Sequence, residues 1–215
     1  MRMEFDELLR VVGDEPVFET GLLLAGDLDP DHVRRQLSRW TSAGRLYQLR
    51  RGLYTLAPPY QVVKPHPFLV ANRMVSGSYV SLQSALAHYG LIPEYVPTVL
   101  SATSARPNEW QTALGKFVFR HVQVDYLRGY QTIELPREQT ALVARPEKAI
   151  LDQVYLTAGA DKQEYLGALR LQNLEQIDPA SLSGMAEVFD RPKIWRAVEV
   201  VLALRREELA DTDTL

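Results

Sequence analysis

Six arginines, Arg34, Arg35, Arg39, Arg45, Arg50 and Arg51, fall within one short stretch of this chain. The window from His32 to Pro93 adds Lys64 and Arg73 and holds no aspartate or glutamate at all, although the protein as a whole carries a net charge of −3. At the chain's average acid content that window would hold about eight carboxylates, so the charge is segregated, not mixed. A guanidinium presents a planar fork of donors that matches phosphate oxygens and the major-groove edge of guanine. Gln36, Ser38 and Ser42, interleaved with the arginines, can both donate and accept. A surface of this kind attracts polyanions without repelling them, and the chemistry it suits is recognition of double-stranded DNA.

Other chemistries have weaker support. The chain has no cysteine, which removes disulfides, thiolate metal sites and cysteine nucleophiles together. The four histidines, His32, His66, His88 and His121, show no metal-site spacing, so neither a metal nor another cofactor is expected. His32 opens the basic stretch and is as well placed to touch DNA as to be a plain surface histidine. A metal-dependent nuclease needs an acid followed by Glu-x-Lys on a neighbouring strand. Here Glu147 and Lys148 are adjacent and follow Pro146, which marks a helix start, and Asp125 has no downstream partner. Glu147 reads more simply as a first-turn acid facing the helix dipole. Tyr126 and Tyr130 around Arg128 could stack on bases, but read better as structural positions in a strand or loop. No phosphate-binding glycine loop or nucleophile elbow is present, so no catalytic residue is assigned and an enzyme is not expected.

The elements that must position the arginines follow from spacing. Phe5, Leu8, Leu9 and Val12 recur at helical intervals up to Gly13. Pro16 opens a second expected helix running through Phe18 to Leu24 and closing near Gly26. Asp29-Pro30 is a start signal for a third, ended by Gly44. Arg45–Leu49 and Leu53–Leu56 are strand-forming runs around an Arg50-Arg51-Gly52 turn. Three helices and a two-stranded ribbon make a winged helix-turn-helix.

On a helical wheel, Val33, Leu37 and Trp40 form one apolar stripe. Arg35, Ser38, Arg39 and Ser42 fall opposite, with Arg34 and Gln36 at the flanks. Arg50 and Arg51 occupy the ribbon tip, where they reach phosphates or a minor groove, and Gly52 supplies the positive φ a short turn requires. The DNA-facing set is therefore Arg34, Arg35, Gln36, Ser38, Arg39, Ser42, Arg45, Arg50 and Arg51.

Residues 1–57 form the expected winged-helix domain. Four prolines between Pro58 and Pro67 mark 58–67 as an extended linker. Residues 68–215 form a second, mixed α/β domain ending in helices, so the fold class is α+β. In it a helix is expected over Tyr79–Tyr89, strands over Thr98–Ser101 and Lys116–Val122, and helices from Pro146 and over Ile194–Leu209. That last helix is apolar nearly all round from Ile194 to Leu204, which implies burial in the core or against a partner. No apolar run is long enough to span a bilayer, and acids near the N-terminus replace the apolar stretch of a signal peptide. A cytoplasmic protein is expected.

The run Trp40-Thr41-Ser42-Ala43-Gly44-Arg45-Leu46-Tyr47-Gln48-Leu49-Arg50-Arg51-Gly52-Leu53-Tyr54 resembles the winged helix of AbiEi-type antitoxins, from type IV abortive-infection toxin–antitoxin systems. Tyr79-Val80-Ser81-Leu82-Gln83-Ser84-Ala85-Leu86-Ala87-His88-Tyr89-Gly90-Leu91 and Ala144-Arg145-Pro146-Glu147-Lys148-Ala149-Ile150-Leu151-Asp152 are similar to patterns in the second domain of that family. The resemblance spans roughly residues 5–160. It implies a two-domain autorepressor that binds repeats in its own promoter and counteracts a nucleotidyltransferase-like toxin without a stable complex. The DNA role carries over to Arg34, Arg35, Arg39, Arg45, Arg50 and Arg51; no role transfers to Glu147, Lys148 or Asp152. Two other readings stand beside it: a winged helix that docks on protein, and an enzyme that processes nucleic acid.

Overall fold

The computed structural model of the protein describes residues 3–24 and 29–212. Helix α1 (Phe5–Val12) buries Phe5, Leu8 and Val12, carries Asp6 and Glu7 in its first turn, and stops at Gly13. Helix α3 (Pro30–Ser42) is capped as its sequence requires: the Asp29 Oδ1 accepts the Asp31 N–H at 3.1 Å, with Pro30 in the first turn. Val33, Leu37 and Trp40 are buried as the wheel demands.

The stretch from Pro16 departs from expectation. Phe18–Glu19 is a strand, β1, and only Thr20–Leu23 is helical (α2). Pairing decides this: Phe18 and Glu19 lie against Tyr54 and Leu53 of β3, satisfying a strand edge that would otherwise be bare. The expected stop near Gly26 lies outside the described residues. Strands β2 (Leu46–Arg50) and β3 (Leu53–Leu56) form the hairpin, with Leu46 opposite Leu56 and Gln48 opposite Tyr54. A bulge then sets Arg50 opposite Leu53, and Gly52 turns the chain at φ +82°. The sheet order is β1-β3-β2. The fold is α+β and opens with a winged helix-turn-helix.

The remainder is a six-stranded mixed sheet in the order β6-β7-β5-β4-β9-β8. Its strands are β4 (Tyr79–Val80), β5 (Thr98–Thr103), β6 (Asn108–Thr112), β7 (Gly115–His121), β8 (Tyr130–Leu135) and β9 (Gln139–Ala144). The helix expected over 79–89 therefore begins later, as α5 (Leu82–His88), because Val80 sits mid-sheet between Ser101 and Val143. Helix α4 (Pro67–Met74) and α5 pack on this sheet; α6 (Pro146–Leu156) lies against α5, and α8 (Pro179–Phe189) and α9 (Pro192–Thr212) close over α6. The short α7 spans Gln163–Ala168. Helix α9 buries Ile194, Ala197, Val198 and Val201, while Val200, Leu202 and Leu204 stay half-buried against the same core.

Two hydrophobic clusters result. One is internal to the winged helix. The other fills the second domain but also takes in Val17, Leu49 and Leu53 from β2, β3 and the approach to β1. The proline-rich stretch is tied to both sides. Tyr60 packs edge-on against Phe5 at 4.9 Å, the Gln61 amide donates to the Leu56 carbonyl, and the Gln139 side chain bridges the Lys64 carbonyl and the His66 N–H.

Candidate nucleic-acid interface

Between α3, α2 and the hairpin lies a groove of about 760 Å³. Arg34, Ser38 and Ser42 enter it from α3 because residues four apart share a helix face. Arg51, Gln48 and Tyr54 enter from the hairpin, and Thr20 from α2. Among the described residues no carboxylate lines it. Burial pushes the Tyr54 hydroxyl above its usual range, so it stays protonated; it accepts from the Gln48 amide at 3.2 Å and keeps its own proton to donate. The Arg34 and Arg51 guanidinium groups, the Ser38 and Ser42 hydroxyls and the Tyr54 phenol face one concave surface, which suits a phosphodiester strand, while the Thr20 hydroxyl is turned to the Gly52 carbonyl.

Arg35 and Arg39 stand exposed on the outer arc of α3, beside Ser38 and Ser42. Two of the arginines are paired with nearby acids. Arg34 meets Asp31 at 2.9 Å and Arg35 meets Asp29 at 3.9 Å, with all four side chains more than half exposed. Exposed pairs of this kind contribute about 0–1 kcal/mol, so phosphate oxygens can displace the carboxylates. Arg39 and Arg51 form no ion pair among the described residues.

Three assignments change. Gln36, expected at the flank of the reading face, is buried, with its amide 3.5 Å from the His32 ring; the turn toward Trp40 takes it inward. Arg50 points away from the groove into the junction with the second domain, where it contacts Glu19 and the Arg73 carbonyl. Arg45 is exposed but lies over the Phe5 ring at 4.8 Å, on the α1 side and outside the groove. That leaves Arg34, Ser38, Ser42 and Arg51 on the groove wall, with Arg35 and Arg39 exposed on the same helix.

No family model matches the chain, and no curated protein is significantly similar to it in sequence. The architecture does recur. It is similar to the crystal structure of the RV2827C protein from Mycobacterium tuberculosis, with a TM-score of 0.55 and 18% identity, over 93% of this chain and 76% of that one. The likeness is one of fold.

Sequence reasoning missed a second cluster. In the core, Lys148 and Asp152 form an ion pair with side chains no more than 1% exposed. Tyr79 and Ser81 donate to the other Asp152 oxygen at 2.9 and 2.7 Å. The signal was available: two opposite charges four apart on a helix whose Ala149, Ile150, Leu151 and Val154 are apolar. Glu147, buried beside them, accepts the Asp178 N–H at 2.9 Å. Tyr126 and Tyr130 are structural as well: Tyr126 donates to the Phe189 carbonyl, and Tyr130 stacks on Tyr79 at 4.8 Å.

A further cavity of about 530 Å³ lies beside α4 and α5, with His66, Phe68 and His88 on its wall. Burial depresses both imidazoles, and each lies edge-on to Phe68. Among the described residues no three histidine or acidic side chains gather where a metal ion would be held. No helix there is long and apolar enough to cross a membrane.

Proposed function

We propose that this protein is a DNA-binding transcriptional autorepressor and the antitoxin of a type IV toxin–antitoxin system. The observation that carries the DNA reading is the groove shared by α3 and the wing, with Arg34, Ser38, Ser42 and Arg51 on its walls and no acid among its described lining residues. Helix α3 enters the major groove, where Arg35 and Arg39 reach base edges or the flanking backbone. Arg34 and Arg51 grip the phosphodiester strand that runs between helix and wing. The antitoxin half rests on the resemblance to AbiEi-type proteins in the second domain: this protein opposes a nucleotidyltransferase-like toxin in the cytoplasm, without catalysis of its own and without a lasting complex.

A gel-shift titration on the DNA upstream of its own reading frame tests the first half. Selective binding that weakens steeply with salt is the expected result. Equal binding to unrelated DNA, or none at low salt, would reject it. Sequencing the adjoining DNA and co-expressing any nucleotidyltransferase-like reading frame found there tests the second: growth should be restored by the full chain, and the absence of such a frame would count against this half.

A further inference from the structure

The hairpin tip has two faces, and consecutive residues divide between them where β1 gives way to α2 and β2 to the turn. On the groove face stand Thr20 and Arg51. On the other stand their neighbours Glu19 and Arg50. The Arg50 Nη2 donates to Glu19 Oε1 at 3.2 Å and to the Arg73 carbonyl at 3.3 Å, and its Nη1 donates to the Arg51 carbonyl at 2.9 Å. The Arg73 carbonyl belongs to the last turn of α4, where helix carbonyls lack internal partners and favour a cation. Leu49 and Leu53 beside Arg50 are buried in the second domain's core. The Thr20 N–H donates to the Gly52 carbonyl at 2.9 Å, binding the two faces into one piece. The Arg50 Nε is buried without a hydrogen-bond partner among the described residues, a cost that an apolar side chain at this place would avoid.

We infer that Arg50 is a positioning residue: it transmits the second domain's hold to the wing, fixes Arg51 and Thr20 at one distance from α3, and so sets the selectivity of DNA binding without touching DNA. This rests on the DNA reading above and adds how that interface is regulated. The second domain becomes part of the reading head, and whatever displaces α4 from the wing loosens the groove.

The test is fluorescence anisotropy with two labelled duplexes, one from the upstream region and one a scrambled copy, over a salt series. The variants are R50Q, E19Q, their double, and R51A as a reference. R50Q and E19Q should each lower the upstream-to-scrambled affinity ratio roughly tenfold, and the double should be no worse than either single change. Glu19 is an acid, so a phosphate contact cannot explain its effect. R50Q should leave the salt slope on scrambled DNA unchanged, whereas R51A should reduce it by about 0.9. A slope that falls in R50Q as it does in R51A, or a full ratio in E19Q, would overturn the assignment. Should the wild type show no preference for its upstream DNA, the repressor reading fails instead. Hydrogen exchange then decides the positioning claim by itself: faster exchange at the amides of residues 51–53 in R50Q supports it, and unchanged protection overturns it.

Discussion

Lys148 and Asp152 face each other one turn apart on α6, sealed from solvent, and each has further partners inside the core. Tyr79 and Ser81 complete the Asp152 carboxylate, while the Lys148 ammonium lies 4.7 Å from the Phe189 ring centre and 5.5 Å from that of Tyr79. Burial pulls the lysine below its usual range and the nearby carboxylate partly restores it; burial, then the same carboxylate, pushes Tyr79 up. Removing one charge leaves the other buried and unpaired. Lys148→Met should therefore destabilise the protein by about 3–5 kcal/mol, and adding Asp152→Asn should recover part of that loss, because the amide oxygen is neutral and still accepts from Tyr79 and Ser81. Denaturant unfolding of the two variants measures it.

His66 and His88 give the stability a pH dependence. Burial lowers both below the ordinary 6.5, and for His66 the neighbouring His88 lowers it further. The unfolded chain then takes up these protons at higher pH than the folded one. Their contribution is present in full above 6.5 and is lost as pH falls through the depressed folded values. The melting temperature should drop on going from pH 7 to pH 5 by less in a His66→Phe/His88→Phe variant than in the wild type.

The Asp29 side chain caps the helix that carries the arginines. Asp29→Ala should cost about 1 kcal/mol of stability through the lost bond to Asp31. It also frees Arg35 from its weak pairing, so affinity for unrelated DNA should not fall. Thermal melts and anisotropy on the same preparation check both halves.

Legibility followed burial and spacing. Helix α3 was readable because Asp29-Pro30 at its start, Gly44 at its end and the Val33, Leu37, Trp40 stripe all point to one solution. The hairpin was readable from Gly52 and its flanking strand formers. Phe18-Glu19 and Tyr79-Val80 were not, since two-residue strands owe their form to distant partners and carry no periodicity of their own. Strands β6, β8 and β9 also went unread. The β6 run Asn108-Glu109-Trp110-Gln111-Thr112 is a polar edge that pairs, among the described residues, with β7 alone. The wheel placed Arg35 and Arg39 outside correctly, but it treats a helix as having one buried side. Gln36 shows the limit: a polar residue beside the apolar stripe is drawn in by its neighbours. For Arg50 and Arg51, sequence offered two equivalent cations, and only the position of the second domain separates them.

Gln36→Met accordingly should change neither the selectivity nor the salt slope of DNA binding, because the side chain is buried beneath the reading face. Anisotropy against upstream and scrambled duplexes is the check; a loss of selectivity would return Gln36 to the interface.

The central claim is that α3 and the wing, through Arg34, Arg35, Arg39 and Arg51, meet the DNA backbone. The most direct measurement is the slope of log affinity against log salt for the upstream duplex, compared between the wild type and a variant with all four changed to alanine. If each arginine neutralises one phosphate, the slope should become shallower by roughly 3.6 and selective binding should disappear. An unchanged slope, with selectivity intact, would contradict the account.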